Sequence, residues 1–219
     1  MFNRCGLLVF SGLFAAVSCI FAGPKVAFPD PAADIPASAT KGTQVAVLAG
    51  GCFWGVQGVF ERIKGVKDTV SGFAGGEKST AHYETVSTGR TGHAESVKIT
   101  FDPSQITYGQ LLKVYFSVVH DPTQRNRQGP DTGTQYRSAI FYTSEEQKKV
   151  ADAYIRQLND AGIFKREIVT EVVPLKGFYA AEGYHQHYLD NNPNEPYIMY
   201  NDLPKIAALK KEYPELCKR

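Results

Sequence analysis

Cysteine is scarce in this chain of 219 residues, with four in all. Two of them, Cys5 and Cys19, fall in an N-terminal stretch that reads as a leader. Only Cys52 and Cys217 remain for the domain, too few for a disulfide scaffold, and no other soft ligand lies near Cys52 in sequence to build a metal cage. A membrane-spanning run is absent as well. The apolar stretch from Leu7 to Val17 is broken by Ser11 and Gly12 and is too short to cross a bilayer comfortably. No block of Lys or Arg suggests a nucleic-acid surface, and the formal net charge is only +2, so charge singles out no partner. There is no internal repeat, and no low-complexity tract outside one Pro/Ala-rich segment.

What is present is an ordinary globular composition, 43% hydrophobic and 21% charged. Arg4 followed by the apolar stretch reads as a signal peptide over residues 1–22. The segment Phe14-Ala15-Ala16-Val17-Ser18-Cys19 is similar to a bacterial lipobox without the usual Leu three residues before the Cys. Two outcomes stay open: lipidation of Cys19 as an anchor, or ordinary cleavage after Ala22. Both imply export, to a periplasm or to a membrane surface. Residues 23–42, with Pro24, Pro29, Pro31 and Pro36, read as a linker. The folded domain is expected over 43–219. Its two thiols are either a structural disulfide or a nucleophile and the thiol that resolves it.

Residues 44–49 form a short apolar run ending in Gly50-Gly51, as a buried strand does on entering a turn. Apolar positions Trp54, Val56, Val59, Phe60 and Ile63 then follow helical spacing. Residues 66–73 and 94–101 alternate as strands, separated by a long Gly-rich polar loop. An amphipathic helix is expected over 107–119, a second long loop over 121–135, and a buried strand over 138–142. Ser144 with Gln147 gives a capping-box signature for a helix to about Ala161. A strand over 168–173 and a last helix over 203–212 complete the pattern. The class is α+β, a mixed sheet covered by helices.

Cys52 thus sits where a strand hands over to a helix. Backbone N–H groups at a helix start favour a thiolate, the reactive form of Cys. The glycines of Gly50-Gly51-Cys52-Phe53-Trp54-Gly55 let the chain turn sharply and a substrate approach closely. Phe53 and Trp54 place aromatic faces beside the sulfur.

Here the sequence resembles the A-class peptide methionine sulfoxide reductases. The likeness rests on GCFWG at 51–55 and on Tyr83-Glu84 with Gly92-His93-Ala94-Glu95-Ser96-Val97. His120-Asp121-Pro122-Thr123 through Gly133-Thr134-Gln135-Tyr136-Arg137-Ser138 forms a third block. Ala181-Glu182-Gly183-Tyr184-His185-Gln186 with Tyr188-Leu189 forms a fourth. The resemblance implies a two-layer α/β sandwich of ferredoxin-like character, acting on the S epimer of methionine sulfoxide in proteins and in free form. It implies Cys52 as nucleophile and Glu95 as the acid that activates the sulfoxide oxygen, a carboxyl whose pKa an apolar setting would raise. It implies Tyr83 and Tyr136 as donors to that oxygen, Phe53 and Trp54 as the S-methyl pocket, and Asp131 as a contact to the substrate backbone. A sulfenic acid on Cys52 would then meet a thiol, with an external dithiol, thioredoxin-like or dithiothreitol, as final reductant. No metal or other cofactor is implied, and a monomer is expected.

The likeness breaks at the C-terminus. Relatives carry recycling Cys in a Gly-rich tail, whereas residues 210–219 contain no Gly. Cys217, on a flexible end, is the candidate resolving thiol. Two other readings remain: an exported thiol–disulfide oxidoreductase or peroxidase using Cys52 and Cys217, and a binding module for oxidised surfaces. His185, His187 and Glu182 make a weak metal pattern and are better read as structural. Gly75-Gly76-Glu77-Lys78-Ser79 fails as a phosphate loop because Glu77 stands where Gly is required before the Lys.

Overall fold

The computed structural model describes residues 28–36 and 42–218. The leader with Cys5 and Cys19 and the rest of the Pro/Ala-rich segment lie outside the described residues. The chain enters through β1 (Gln44–Gly50), α1 (Phe53–Glu61) and β2 (Val66–Ala74), then α2 (Tyr83–Val86), β3 (Ala94–Phe101) and α3 (Tyr108–Val114). A small hairpin of β4 (Arg127–Gln128) and β5 (Asp131–Thr132) precedes β6 (Ser138–Tyr142), α4 (Glu145–Asp160), β7 (Glu171–Pro174) and β8 (Phe178–Ala180). The C-terminal part holds α5 (Tyr188–Asn191) and α6 (Leu203–Glu212).

Six strands form one mixed sheet in the order β7-β6-β1-β3-β2-β8. Only the β6–β7 pair is parallel. Its inner four, β6-β1-β3-β2, place α1 between two parallel strands split by β3, and α3 between β3 and β6; this is the ferredoxin-like arrangement. β1 is sandwiched on both faces, which is why it reads as an unbroken apolar run. Ala46 and Leu48 point into the main core under the helices, with Phe60, Leu112, Phe116 and Tyr154. Val47 and Ala49 point the other way, into a thinner cluster of Ala74, Ala94, Ala139 and Phe141.

Four details differ from the sequence-based expectation. The helix expected over 107–119 is α-helical only to Val114 and continues as a wider π turn over Tyr115–Val119. The complete capping box belongs to Thr107 and Gln110. Ser144 supplies only the hydroxyl half, since the Gln147 side chain accepts from Thr143 instead. The strand expected at 168–173 forms at Glu171–Pro174, where β6 offers it an edge.

The fourth difference concerns residues 28–36, which lie against the domain rather than running free. Phe28 packs edge-on against Phe164, with centroids 6.1 Å apart. Tyr154 Oη–H donates to the Pro29 carbonyl at 2.7 Å, and Gln157 holds both the Ala32 N–H and the Asp30 carbonyl at 2.8 Å. The Asp34 carboxylate accepts from the Gly109 N–H at 2.8 Å and from the Thr107 hydroxyl. The other end is tied down as well. Lys64 N–H donates to the Leu216 carbonyl and Lys218 N–H to the Arg62 carbonyl, at 2.8 and 2.7 Å, around a bridge between Ile63 and Cys217.

Candidate active site

The turn that presents Cys52 is built from behind. Tyr115, placed by the π turn, donates its hydroxyl to the Ala49 carbonyl at 2.7 Å. Gly51 adopts φ +89°, where a side chain is strained, and a Cβ there would lie 2.6 Å from Gln128. Gly55 has a different purpose from the one its place in the motif suggests. It lies in α1, and a Cβ on it would fall 2.0 Å from Asp202 Oδ1 and 2.8 Å from Lys205 Nζ. Its missing side chain makes a socket for a buried ion pair, Asp202 to Lys205 at 3.0 Å, and does not make room for substrate.

Seven residues singled out in the sequence, Cys52, Phe53, Trp54, Tyr83, Glu95, Asp131 and Tyr136, line one cavity of about 170 Å³, together with Tyr197. They arrive from five places in the fold: α1, α2, β3, β5 and the turn before β6. A larger groove of about 930 Å³ between Phe28, Phe116, Phe164 and Tyr213 holds neither thiol, so size is a poor guide to the chemistry here.

Glu95 is buried on β3, and one of its oxygens accepts from the Phe53 N–H at 3.0 Å. Burial pushes its pKa up to about 8, against the pull of that hydrogen bond, with nearby Asp131 adding to the rise. It therefore carries a proton at neutral pH. The Cys52 thiol is also pushed up, by burial first and then by Glu95 and Asp202. The Trp54 backbone N–H and the Lys205 ammonium pull in the other direction and do not win. The acidifying effect expected of a helix start is thus outweighed by desolvation, and the resting sulfur is a thiol. Tyr83 and Tyr136 are likewise raised by burial and by Glu95, so both keep a proton to donate.

The aromatic wall is held by residues the motif reading left as structural or missed. Indole N–H is a donor only, so the Trp54 Nε1–H contact to His185 Nδ1 at 3.2 Å makes that nitrogen an acceptor. Burial lowers the His185 pKa, consistent with a neutral ring protonated on Nε2. Trp54 also stacks on Tyr188 at 3.8 Å and 11° and meets the edge of Tyr197 at 5.9 Å. Glu182 accepts from the Tyr83 N–H at 3.1 Å at the start of α2. Tyr197 Oη–H donates to Asp131, tying the C-terminal region to the β4–β5 hairpin. Among the described residues no group of three or more His, Cys, Asp or Glu could hold a metal ion.

Cys217 is not brought to Cys52. Both are free thiols. Cys52 precedes α1 while Cys217 pairs with Ile63 beyond its end, and nine helical residues span about 14 Å. The Cys217 thiol instead donates to the Tyr213 carbonyl at 3.4 Å.

The profile of the family described as peptide methionine sulfoxide reductase matches residues 44–216. A protein of Mesorhizobium japonicum named peptide methionine sulfoxide reductase MsrA 2 is 61% identical over 178 residues, 81% of this chain and 91% of its own length. A protein of the same name from Synechocystis is 51% identical over 210 residues, covering 94% and 98% of the two chains. Among solved structures, Saccharomyces cerevisiae Mxr1 in reduced form matches with a TM-score of 0.62 at 38% identity, over 69% of this chain and 87% of that one. Methionine sulfoxide reductase A of Corynebacterium diphtheriae matches with a TM-score of 0.61 at 40% identity, over 70% and 77%.

Proposed function

This chain belongs to the peptide methionine sulfoxide reductase family, a group of oxidoreductases, and from that premise we propose that it reduces the S epimer of methionine sulfoxide through attack of Cys52 on the sulfoxide sulfur. The observation that carries this reading is the placement of a thiol and a protonated carboxyl, Cys52 and Glu95, in one small aromatic cavity. A sulfoxide sulfur becomes electrophilic only when its oxygen is protonated or strongly hydrogen-bonded. Glu95, assisted by the hydroxyls of Tyr83 and Tyr136, supplies that acid, while Phe53 and Trp54 receive the methyl group and Asp131 faces the substrate backbone.

The Cys52 sulfur bonds to the substrate sulfur as the sulfur–oxygen bond breaks, and the oxygen leaves as water carrying the thiol proton and the Glu95 proton. Water then attacks the Cys52 sulfur, the sulfur–sulfur bond breaks with its electron pair passing to methionine, and a proton returns to Glu95. Cys52 is left as a sulfenic acid. An external dithiol, thioredoxin-like in the cell and dithiothreitol in the test tube, reduces it by way of a disulfide. In this scheme the dithiol reaches Cys52 directly while Cys217 stays docked, and Cys217 takes part only when the C-terminal segment lets go. The signal-like leader supports export, to a periplasm or to a membrane surface, as the setting of this repair.

The test is reduction of a peptide carrying racemic methionine sulfoxide with dithiothreitol, with the epimers resolved. Loss of the S epimer alone is expected, and Cys52→Ser should abolish it. An S epimer left untouched by the wild-type protein would overturn the reading.

A further inference from the structure

The loop before β4 and the turn after α4 meet at the surface, where Arg166 donates to the Thr123 hydroxyl at 2.8 Å. Arg125, Arg127 and Arg166 line one shallow depression there, about 680 Å³ in volume, and no carboxylate is among its described lining residues. Lys165 stands next to Arg166, and all four cations are exposed. Asp121 approaches Arg166 at 3.9 Å, but its oxygens also accept hydrogen bonds from Thr123 and Gln124. Glu167, next in sequence, borders neither this depression nor the groove beside it. Elsewhere arginines have carboxylate partners, as Arg62 has Asp190 and Arg137 has Glu171. Among the described residues Arg125 and Arg127 have none, and Arg127 donates its Nε–H to the Gly129 carbonyl at 2.9 Å. A chain of net charge +2 thus gathers four cations against one carboxylate, a local field that attracts an anionic partner.

What points to the partner is the way the chain reaches the domain. Phe28 packs on Phe164, which directly precedes Lys165 and Arg166, and it lines the same groove as those two side chains. Hydrogen bonds from Tyr154 and Gln157 to the residues that follow hold it there. Whatever precedes Phe28 therefore joins the domain beside the four cations. Cys19, the lipobox position, lies nine residues upstream, and that length of chain reaches about 30 Å at full extension. A lipid there would keep this side of the molecule close to the bilayer, and a short tether raises the local concentration of headgroups. The guanidinium fork meets phosphate oxygens in two parallel hydrogen bonds, so three arginines around one depression suit phosphodiester headgroups. Access to Cys52 is kept. Gln128 packs on Gly51 and its cross-strand partner Asp131 lines the cavity, whereas Arg127 pairs with Thr132 on the alternate face of the hairpin.

We infer that Arg125, Arg127, Lys165 and Arg166 form a docking face for the anionic phosphodiester headgroups of a membrane. The N-terminal tether turns this face toward the bilayer, and the cations hold it there while the cavity stays open to substrate. The inference is separate from the chemistry at sulfur, and from the export reading it takes only the direction of the tether. Cations close to an anionic bilayer strengthen binding about fivefold each, and salt screens them within about 10 Å. Contact made this way is reversible and strongest at low ionic strength.

The experiment floats the full chain with vesicles of phosphatidylcholine alone or with about one-third phosphatidylglycerol, at about 0.05 M and about 0.5 M salt. The apolar leader enters both kinds of vesicle, so the readout is the ratio of the two partition coefficients. That ratio should be at least about tenfold at low salt and fall toward one at high salt. The combined substitutions Arg125→Gln, Arg127→Gln, Lys165→Gln and Arg166→Gln should cut the low-salt ratio about tenfold. Removing the same charge elsewhere, with Lys67→Gln, Lys78→Gln, Lys149→Gln and Lys176→Gln, should leave it within about twofold. Both variants should unfold within about 3 °C of wild type, as changes to exposed side chains do. If the first does not fold, Arg125→Gln with Arg127→Gln carries the test and should cut the ratio about threefold. Substitutions at the face that change nothing, or no more than the four lysines do, would overturn the inference. So would a variant whose one defect is a raised KM for a thioredoxin-like reductant, since the partner would then be an acidic protein. Charge-dependent binding by a chain that cells do not export would keep the face and sink the export reading instead.

Discussion

Two buried carboxyls act on Cys52, and they differ in what stands beside them. Burial lifts the Glu95 pKa to about 8, so at neutral pH it holds its proton. Asp202 is also raised by burial, yet it faces the Lys205 ammonium at 3.0 Å, which favours its charged form. Because the Glu95 proton is consumed in attack, kcat/KM on a sulfoxide peptide should be level below about pH 8 and fall about tenfold per unit above it. Glu95→Gln should remove that alkaline limb and lower the rate by about 10²- to 10⁴-fold. A variant that kept both the limb and the rate would deny Glu95 its role. The Asp202 charge, by contrast, raises the thiol and does not touch the substrate. Asp202→Asn removes a negative charge from near Cys52, so the pH midpoint of iodoacetamide alkylation should move down by about one unit, about tenfold faster labelling at neutral pH, with the plateau rate unchanged. An unchanged midpoint would show that the pair serves packing alone.

Elements carry these residues to one place, and the ties between elements explain the motif blocks. Thr134 donates to the Gly89 carbonyl and Gln135 to the Ser87 carbonyl, at 2.7 and 3.2 Å, binding the Tyr136 turn to the loop after α2. Arg137 reaches the carbonyls of Gly92 and His93 at 3.0 and 3.1 Å, fixing the entry to β3 just ahead of Glu95. The C-terminal segment is another tie. Its two backbone hydrogen bonds to residues 62 and 64 and the thiol contact to Tyr213 would all have to break before Cys217 could travel. At about 1 kcal/mol for each backbone bond, opening is uphill, and the segment would then have to double back along α1. Thiol titration after one turnover without reductant should accordingly find Cys217 still free; loss of both thiols would show that the segment opens and Cys217 resolves the sulfenic acid. Much of this was legible in the sequence, because the resemblance to a known family singled out Glu95, Tyr83 and Tyr136 around a Cys52 already marked by its strand-to-helix turn, and because alternation and helical spacing mark β3 and α1. Tyr197, Asp202 and Lys205 were not. They lie in or just before the short terminal helix that the sequence shows, and the contacts that tie them to the site, Tyr197 to Asp131 and Asp202 to the empty Cβ position of Gly55, are long-range. The one local hint was Gly55, whose empty Cβ position points to a neighbour without naming it.

At the scale of the whole molecule the site is supported from a distance by the segment that sequence reading assigned to a linker. Pro-rich chain cannot form a core of its own, but residues 28–36 have backbone groups that side chains of α4 can satisfy, and Asp34 adds a carboxylate at the start of α3. That position is favourable twice over, since the first N–H groups of a helix lack intrahelical partners and the helix dipole attracts negative charge there. The consequence is transmitted inward, because α3 runs on into the π turn that carries Tyr115, whose hydroxyl holds the Ala49 carbonyl just before Cys52. Asp34→Ala should cost about 1–2 kcal/mol, read as a fall of about 2–8 °C in Tm for a domain of this size. At 25 °C, well below that transition, kcat/KM should stay within twofold of wild type, because Asp34 touches neither the cavity nor its walls. A variant with unchanged Tm would mean that the segment rests on the domain without stabilising it. An unchanged Tm with a loss of activity would mean that α3 shifts as a rigid piece and carries the Cys52 turn with it.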